Sequence, residues 1–185
     1  MWAVVGLGNP GRRYANTRHN VGFMAIKRLA CGWDVRVKKK KFRSKTAEVT
    51  RESGRVILAM PQTYMNASGQ AVKELIHGMH LEPGRLLVVY DDIDIPLGDI
   101  RVRKEGGPGT HKGMISIIEE IRTERFPRIR IGIGPVAGSG DVVRFVLSPF
   151  LNEERDLLEE SLDKALAALE IILEGDIDRA MNLYN

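Results

Sequence analysis

The hydrophobic pattern of this 185-residue chain changes period several times, and each change predicts a different element. Continuous apolar runs at 1–5 and 86–90 are typical of strands that are buried on both faces. Apolar residues spaced three and four apart predict helices over 21–30, 71–80 and 152–173. This alternation of strand and helix favours an α/β fold with a largely parallel sheet.

Further short stretches add strands to the predicted sheet. Residues 45–50 and 55–60 flank a Glu-Ser-Gly turn, which is the pattern of an antiparallel hairpin. Residues 99–104 alternate charged and apolar side chains as an edge strand does, and 129–134 forms another strand. We therefore expect a twisted mixed sheet that is flanked by helices.

Length and composition suit one globular unit, and we expect a single domain over 1–185. The hydrophobic fraction is 43% and the charged fraction 28%, both ordinary for globular proteins. Cys31 is the only cysteine, so it has no partner for an internal disulfide, which fits a reducing cytoplasm. No apolar run approaches the ~20 residues that span a bilayer, and no signal pattern begins the chain. We expect a cytoplasmic protein without membrane contact.

Charged residues are unevenly distributed along the chain, whose formal net charge is +4. Acidic residues concentrate at 152–178, whereas basic residues fall mostly in two other stretches. This asymmetry predicts a cationic face for a polyanion, although a solvated surface explains a lysine run equally well. The basic stretches are Lys38, Lys39, Lys40, Lys41, Arg43 and Lys45, and then Arg101, Arg103, Lys104, Lys112, Arg122, Arg125, Arg128 and Arg130.

The glycine-rich turn GLGNPG at 6–11 follows the first predicted strand and fits the dinucleotide-binding pattern G-x-G-x-x-G. That pattern requires a helix from its third glycine, but Gly11 is followed by RRYANTRHN, which has no helical apolar period. Pro10 also lacks the backbone N–H that a phosphate would use. Asp34 lies near the position of a ribose-binding acid, so a nicotinamide enzyme stays as a minor alternative.

Polar residues follow several of the predicted strands, namely Asn9, His19, Asn66 and Asp91. Because parallel strands end at one edge of a sheet, these residues can meet there. A histidine beside a carboxylate can take a proton from water, and two asparagines can orient a carbonyl. The pattern indicates a hydrolase that uses water as nucleophile. The alternative is a loop histidine with Asp91 and Asp94 as turn formers.

A second glycine-rich stretch, EGGPGTHKG at 105–113, precedes another predicted helix. Backbone N–H groups at such a helix start bind anions, and Lys112 with Arg101 and Arg103 would strengthen a phosphate site. A plain connecting loop explains the stretch equally well.

Four blocks of the chain resemble the bacterial-type peptidyl-tRNA hydrolase family. They are GLGNPG-x2-Y-x2-TRHN-x-G, P-x-TYMN-x-SG, YDDID-x-P-x-G and a GIG near a late strand, in this order through nearly the whole chain. The resemblance implies one α/β domain with a mixed sheet. It also implies hydrolysis of the ester that joins a peptide to tRNA, releasing free peptide and recyclable tRNA.

The resemblance assigns a role to three residues of the catalytic site. His19 in TRHN is similar to the general base, and Asp91 in YDDID to the carboxylate that supports it. Asn9 is similar to the asparagine that separates N-blocked from free aminoacyl-tRNA. A peptide amide accepts that contact, whereas a free α-ammonium presents a charge.

Six further residues resemble substrate-binding positions. Tyr14, Tyr64 and Asn66 match positions near the tRNA 3′ end, and Arg103 and Arg130 resemble a pair that grips a terminal phosphate. The sixth is Lys112, where the family typically has asparagine. Lysine is longer, charged and has no acceptor, so it is expected to bind phosphate directly or to leave the role to a neighbour.

The resemblance also implies how the protein is organised. Segment 135–149 corresponds to a mobile lid, and a monomer without obligate protein partner, metal or cofactor is expected. Peptide and tRNA preference should be weak. A non-catalytic RNA-binding protein of the same fold is the competing hypothesis, against which the Asn9, His19 and Asp91 set argues, since phosphate binding alone needs no histidine–aspartate pair.

Overall fold

The computed structural model describes residues 1–135 and 141–185, and its strands form one seven-stranded sheet. Strand order is β2-β3-β4-β1-β5-β7-β6, in which neighbours among β4, β1, β5 and β7 pair in parallel and all other neighbours pair antiparallel. The predicted mixed sheet is therefore confirmed. The strands are β1 (Trp2–Gly6), β2 (Lys39–Lys41), β3 (Ser44–Arg51), β4 (Gly54–Pro61), β5 (Leu86–Pro96), β6 (Ile100–Arg103) and β7 (Arg128–Gly134).

Six α-helices cover the sheet in the part of the chain described. The apolar side chains of α2 and α3 pack on one face, and those of α1, α5 and α6 on the other, so each face has its own hydrophobic core. This is why β1 and the first half of β5 carry uninterrupted apolar runs. The helices are α1 (Val21–Gly32), α2 (Ser68–Gly78), α3 (Lys112–Ile121), α4 (Val142–Val146), α5 (Arg155–Leu173) and α6 (Ile177–Tyr184).

The predicted helix over 152–173 begins later than the pattern suggested. A 3₁₀ turn occupies Asn152–Glu154 before α5 starts at Arg155. Gly175, with φ of 101°, ends this region in the left-handed conformation that glycine adopts readily. The short helix α6 follows, which the sequence pattern did not predict.

The residue before α1 does not have the capping role that is usual for asparagine at a helix start. The helix begins at Val21 as predicted, but the Asn20 side chain does not cap it. Asp141 does cap α4, accepting hydrogen bonds from the N–H groups of Val143 and Arg144. Of the predicted lid at 135–149, residues 136–140 lie outside the described residues, and its mobility stays a prediction.

β5 continues further than its apolar run. The strand extends through Asp91 to Pro96, with a register shift against β7 between Asp92 and Pro96. Asp91 therefore lies within a strand, paired with Ile131, rather than in the loop after it. In the described part of the chain, no helix is long and apolar enough to cross a membrane.

Candidate active site

His19 and Asp91 lie side by side although 72 residues separate them in sequence. His19 belongs to the 3₁₀ turn Arg18–Asn20 before α1, and Asp91 lies in β5, the strand next to β1. The Nδ1 atom of His19 is 2.8 Å from Oδ1 and 2.8 Å from Oδ2 of Asp91. With its Nδ1–H donated to the carboxylate, the ring has Nε2 left for a ligand.

A second histidine, His111, binds the same carboxylate. Its Nε2 lies 2.9 Å from Oδ1 of Asp91, and its ring centre is 5.1 Å from that of His19. The Nδ1 atom of His111 accepts the Met114 N–H at 3.3 Å, which caps the start of α3. Because Nδ1 is the acceptor, the proton of the neutral ring is on Nε2 and is donated to Asp91.

Asp91 is charged because its partners outweigh its burial. The carboxylate is 3% exposed, and burial alone would raise its pKa. Electrostatic attraction to His111 and His19, and the hydrogen bonds from both rings, reverse this effect and hold the pKa well below its usual range. The site thus contains one fixed negative charge between two imidazoles.

Asn9 is held in place by three hydrogen bonds from neighbouring elements. Its backbone N–H donates to Oδ1 of Asn20 at 2.8 Å, and Nδ2 of Asn20 donates to its carbonyl at 2.9 Å. Its own Oδ1 accepts the Met65 N–H at 2.8 Å. The side-chain oxygen is thereby committed, so the Nδ2 group is the donor that Asn9 can offer to the cavity.

These residues open into one cavity of about 780 Å³ at the carboxyl ends of the parallel strands. Asn9, His19 and Asp91 form part of its wall, together with the exposed side chains of Tyr64 and Asn66. Tyr14 is not among the described residues that line it. Its ring instead packs edge-on against Tyr64, with 6.5 Å between the centres.

Arginines occupy one face of the β6–β7 pair, and Arg103, Arg128 and Arg130 line the cavity. The ladder pairs Arg101 with Arg130 and Arg103 with Arg128, while isoleucine and valine fill the other face. Arg130 donates from Nε to Asp92 at 2.6 Å, whereas Arg103 is exposed and contacts only a carbonyl among the described residues. Both predicted phosphate residues line the cavity, but Asp92 partly offsets the charge of Arg130.

Arg128 ties the glycine-rich loop to the sheet. It is 1% exposed, and its guanidinium donates to the carbonyls of Gly106, Gly107 and Glu124. This loop leads to His111 and Lys112, and Lys112 lines the cavity with an exposed side chain. The stretch predicted as a possible anion loop is therefore a wall of the same cavity.

Similarity to known proteins identifies the family of this chain. A family model described as peptidyl-tRNA hydrolase matches residues 3–185. The chain belongs to the peptidyl-tRNA hydrolase family. The resemblance expected from the four sequence blocks is confirmed, and the family is one of hydrolytic enzymes.

Relatives within the peptidyl-tRNA hydrolase family align over the whole length. A peptidyl-tRNA hydrolase of Alkaliphilus metalliredigens is 45% identical, with all of both chains covered. One of Chloroflexus aggregans is 46% identical, covering 100% of this chain and 99% of the relative. The crystal structure of the Acinetobacter baumannii enzyme superimposes with a TM-score of 0.91 at 35% identity, covering 98% of this chain and 93% of that one. A peptidyl-tRNA hydrolase in complex with N-propanol gives a TM-score of 0.92 at 36% identity, with the same coverage.

Within this family framework, sequence reasoning missed two residues of the site. His111 lies in EGGPGTHKG, where the sequence pattern indicated a role only for the glycine-rich loop and Lys112. The neighbouring residues do not show that the His111 ring reaches Asp91. Asn20 directly precedes a predicted helix, where asparagine usually caps, but it positions Asn9 instead. A polar residue buried to 1% exposure needs partners, but burial is visible only in the fold.

The ligand atoms of His19, Asp91 and His111 lie within 4.8 Å of one another, close enough for a metal ion. Hydrogen bonding accounts for this closeness, because both rings donate to the carboxylate. A metal at this place would also need the Nε2 lone pair of His111, which is protonated while Nδ1 accepts from Met114. The arrangement suits proton transfer better than metal ligation.

Proposed function

We propose that this chain hydrolyses the ester bond between peptide and tRNA in peptidyl-tRNA, with His19 as general base. The observation that carries the proposal is the 2.8 Å contact between His19 and Asp91 inside the cavity that also presents Asn9. The proposal assigns to this chain the reaction for which its relatives are named.

The first step is proton removal from water by Nε2 of His19. As the O–H bond breaks, the water oxygen attacks the ester carbonyl carbon, and His19 becomes an imidazolium. Asp91, charged at neutral pH, stabilises that imidazolium through Nδ1–H and fixes the ring tautomer. The tetrahedral intermediate then expels the ribose oxygen, which takes the proton back from Nε2. The products are a peptide carboxylic acid and tRNA with a free ribose hydroxyl.

Asn9 supports selection of N-blocked substrates. The side-chain oxygen of Asn9 is engaged by the Met65 N–H, so the Nδ2–H group is the one that meets the substrate. A peptide carbonyl accepts such a donor, whereas the α-ammonium of a free aminoacyl-tRNA is itself a donor and carries a charge. The contact therefore favours peptidyl-tRNA over aminoacyl-tRNA.

The remaining predicted residues suit the RNA end of the substrate. Arg103 and Lys112 are exposed cations of the cavity wall, and Arg130 stands on the same strand face as Arg103. Phosphate contacts from such residues add affinity that falls steeply with salt. Tyr64 offers an exposed ring for stacking on a base, and Tyr14 packs against it and holds it in position.

The test is hydrolysis of two substrates that differ only at the amino group. The native protein is expected to cleave N-blocked aminoacyl-tRNA and to leave free aminoacyl-tRNA essentially intact. His19→Ala should abolish cleavage while tRNA binding persists, because no phosphate contact is removed. His77→Ala is the matched control, since His77 is an exposed histidine of α2 outside the cavity.

A different result would favour the competing function. Tight tRNA binding without cleavage of the blocked substrate by the native protein would identify a non-catalytic RNA-binding protein. Equal cleavage of both substrates would remove the proposed role of Asn9 while leaving the hydrolytic role of His19 intact.

A further inference from the structure

Arg18, the residue before His19, is buried between two aromatic rings from a distant part of the chain. Its guanidinium carbon lies 4.6 Å from the ring centre of Phe145 and 4.9 Å from that of Phe150. The residue is 4% exposed, an unusual degree of burial for an arginine. A guanidinium this close to two aromatic rings gains cation–π attraction from each of them, most strongly where water is excluded.

Two further contacts connect Arg18 to residues 148–154 of the same part of the chain. Its Nη2 donates to Oε2 of Glu154 at 2.6 Å, and Glu154 also accepts the Leu151 N–H at 2.7 Å. The backbone N–H of Arg18 donates to the Ser148 carbonyl at 2.9 Å. Burial works to raise the pKa of Glu154. The hydrogen bonds from the Arg18 side chain and the Leu151 N–H, with the charge of Arg18, outweigh burial and lower the pKa, so the carboxylate is charged.

The other two guanidinium nitrogens of Arg18 reduce the stability of this packing. Nε and Nη1 are buried without a hydrogen-bond partner among the described residues. Leaving buried donors unmatched destabilises a structure, so the two rings and Glu154 must offset that cost. The packed arrangement therefore depends on these specific contacts as well as on the packing of Phe145, Val146 and Phe150 against the core.

Helix α4, whose Phe145 contacts Arg18, forms part of the cavity wall. Val142, Val143 and Val146 of α4 line the cavity, and Phe145 lies in the same helix. Val142 and Val143 are 44% and 54% exposed, so they offer apolar surface to whatever occupies the cavity. His19 follows Arg18 directly, so one turn of the chain contacts both α4 and Asp91.

We propose that Arg18 is a positioning residue, which holds α4 against the cavity that contains His19 and thereby sets the affinity for the acyl part of the substrate. This inference rests on the proposed hydrolysis of peptidyl-tRNA. Arg18 acts through Phe145 and Glu154 and does not touch the reacting atoms. Its loss therefore weakens substrate binding more than it slows the chemical step.

The kinetic test compares variants on N-blocked aminoacyl-tRNA. Arg18→Met, which keeps the length of the side chain but not its charge, should raise KM about tenfold, with kcat within about threefold and an unchanged pH profile. Arg18→Lys should recover part of the loss, because it restores the charge beside Glu154. Glu154→Gln and Phe145→Leu, which leave Arg18 in place, should each raise KM less.

The structural test measures hydrogen exchange of the native protein and the same variants. Arg18→Met should speed exchange in 141–151 while β1 and β5 keep their protection. Arg28→Met is the matched control, because Arg28 makes ion pairs with Glu159 and Asp163 away from the cavity. It should change neither KM nor exchange in 141–151.

The outcomes separate this inference from the proposed function. A native protein that fails to cleave blocked aminoacyl-tRNA overturns the proposed function, while exchange in 141–151 still reports whether Arg18 holds α4. With an active native protein, the inference is overturned if Arg18→Met leaves KM and exchange in 141–151 unchanged. It is also overturned if exchange rises equally throughout the molecule, which indicates a general loss of stability.

Discussion

Asp91 accepts hydrogen bonds from His19 and His111 at the same time, at 2.8 and 2.9 Å. The two rings are not equivalent in this relationship. His111 is locked by the Met114 N–H on its other nitrogen, whereas His19 keeps Nε2 for a ligand. One carboxylate therefore orients the ring of His19, the proposed base, and anchors the start of α3.

Replacing Asp91 by asparagine should reduce turnover without preventing binding. The amide side chain keeps the size of the carboxylate, but it has no charge to stabilise the imidazolium of His19. We expect Asp91→Asn to lower kcat about 10²- to 10⁴-fold with a small change in KM. Single-turnover and steady-state kinetics on N-blocked aminoacyl-tRNA measure both quantities. A kcat close to that of the native protein would contradict the proposed support of His19 by Asp91.

Asp91 also makes the free energy of unfolding depend on pH. Its pKa in the folded protein is depressed, because the two histidines outweigh burial, whereas the unfolded value is about 3.9. Such a group stabilises the fold fully above the unfolded pKa and loses this contribution as pH falls through the folded value. The urea midpoint of the native protein should therefore fall more steeply below about pH 4 than that of Asp91→Asn.

Urea unfolding between pH 7 and pH 2 measures this difference. Asp163→Asn is the control, since Asp163 lies in an exposed ion pair with Arg28 that contributes little to stability. It should keep the steep fall of the native protein. Parallel profiles for the native protein and Asp91→Asn would show that Asp91 is not the group responsible.

The two functions of the Asn9 side chain can be separated by one substitution. Asn9→Asp keeps an oxygen for the Met65 N–H but removes the Nδ2–H donor. We expect the fold to persist and the preference for blocked over free aminoacyl-tRNA to fall about tenfold. The ratio of kcat/KM for the two substrates measures the preference.

Asn20 should show its role through Asn9. Asn20→Ala removes both hydrogen bonds to the Asn9 backbone, so the same preference should fall although Asn20 does not line the cavity. Loss of stability with an unchanged preference would instead assign Asn20 a purely structural role.

Lys112 stands where the resemblance in the sequence implies asparagine, and its exposed position at the start of α3 has room for either residue. We expect Lys112→Asn to keep kcat within about threefold. If the ammonium contacts a phosphate, the slope of log KM against log salt should become shallower by about one unit. Complete loss of turnover would show that lysine and asparagine do not do similar work here.

Two glycines of α1 form a matched pair for a packing test. A Cβ on Gly22 would lie 2.6 Å from both the nitrogen and the oxygen of Leu7 and would meet the Val89 carbonyl, whereas one on Gly32 meets nothing within 4 Å. We expect Gly22→Ala to lower the free energy of unfolding by about 3 kcal/mol. Gly32→Ala should be neutral or slightly stabilising. Chemical denaturation compares the two, and equal effects would contradict the close approach of α1 to β1 and β5.

Local pattern was sufficient for most elements of the fold. A short stretch of sequence is enough to show the apolar runs of β1 and β5, the hairpin of β3 and β4, and the apolar stripe of α5. The pattern did not predict α6, a short helix packed against α5 and the edge strand β6. Its position depends on packing against these other elements, which the sequence of α6 alone does not show.

What the sequence by itself determined is the set of elements and the chemistry available at His19, Asp91 and Asn9. Tertiary structure alone decided that His111 shares Asp91, that Asn20 positions Asn9 and that Arg18 packs under α4. These contacts join residues up to 136 positions apart, as for Arg18 and Glu154. Hydrogen bonds and ring contacts act over a few ångströms in space, so their partners depend on how the strands and helices pack together.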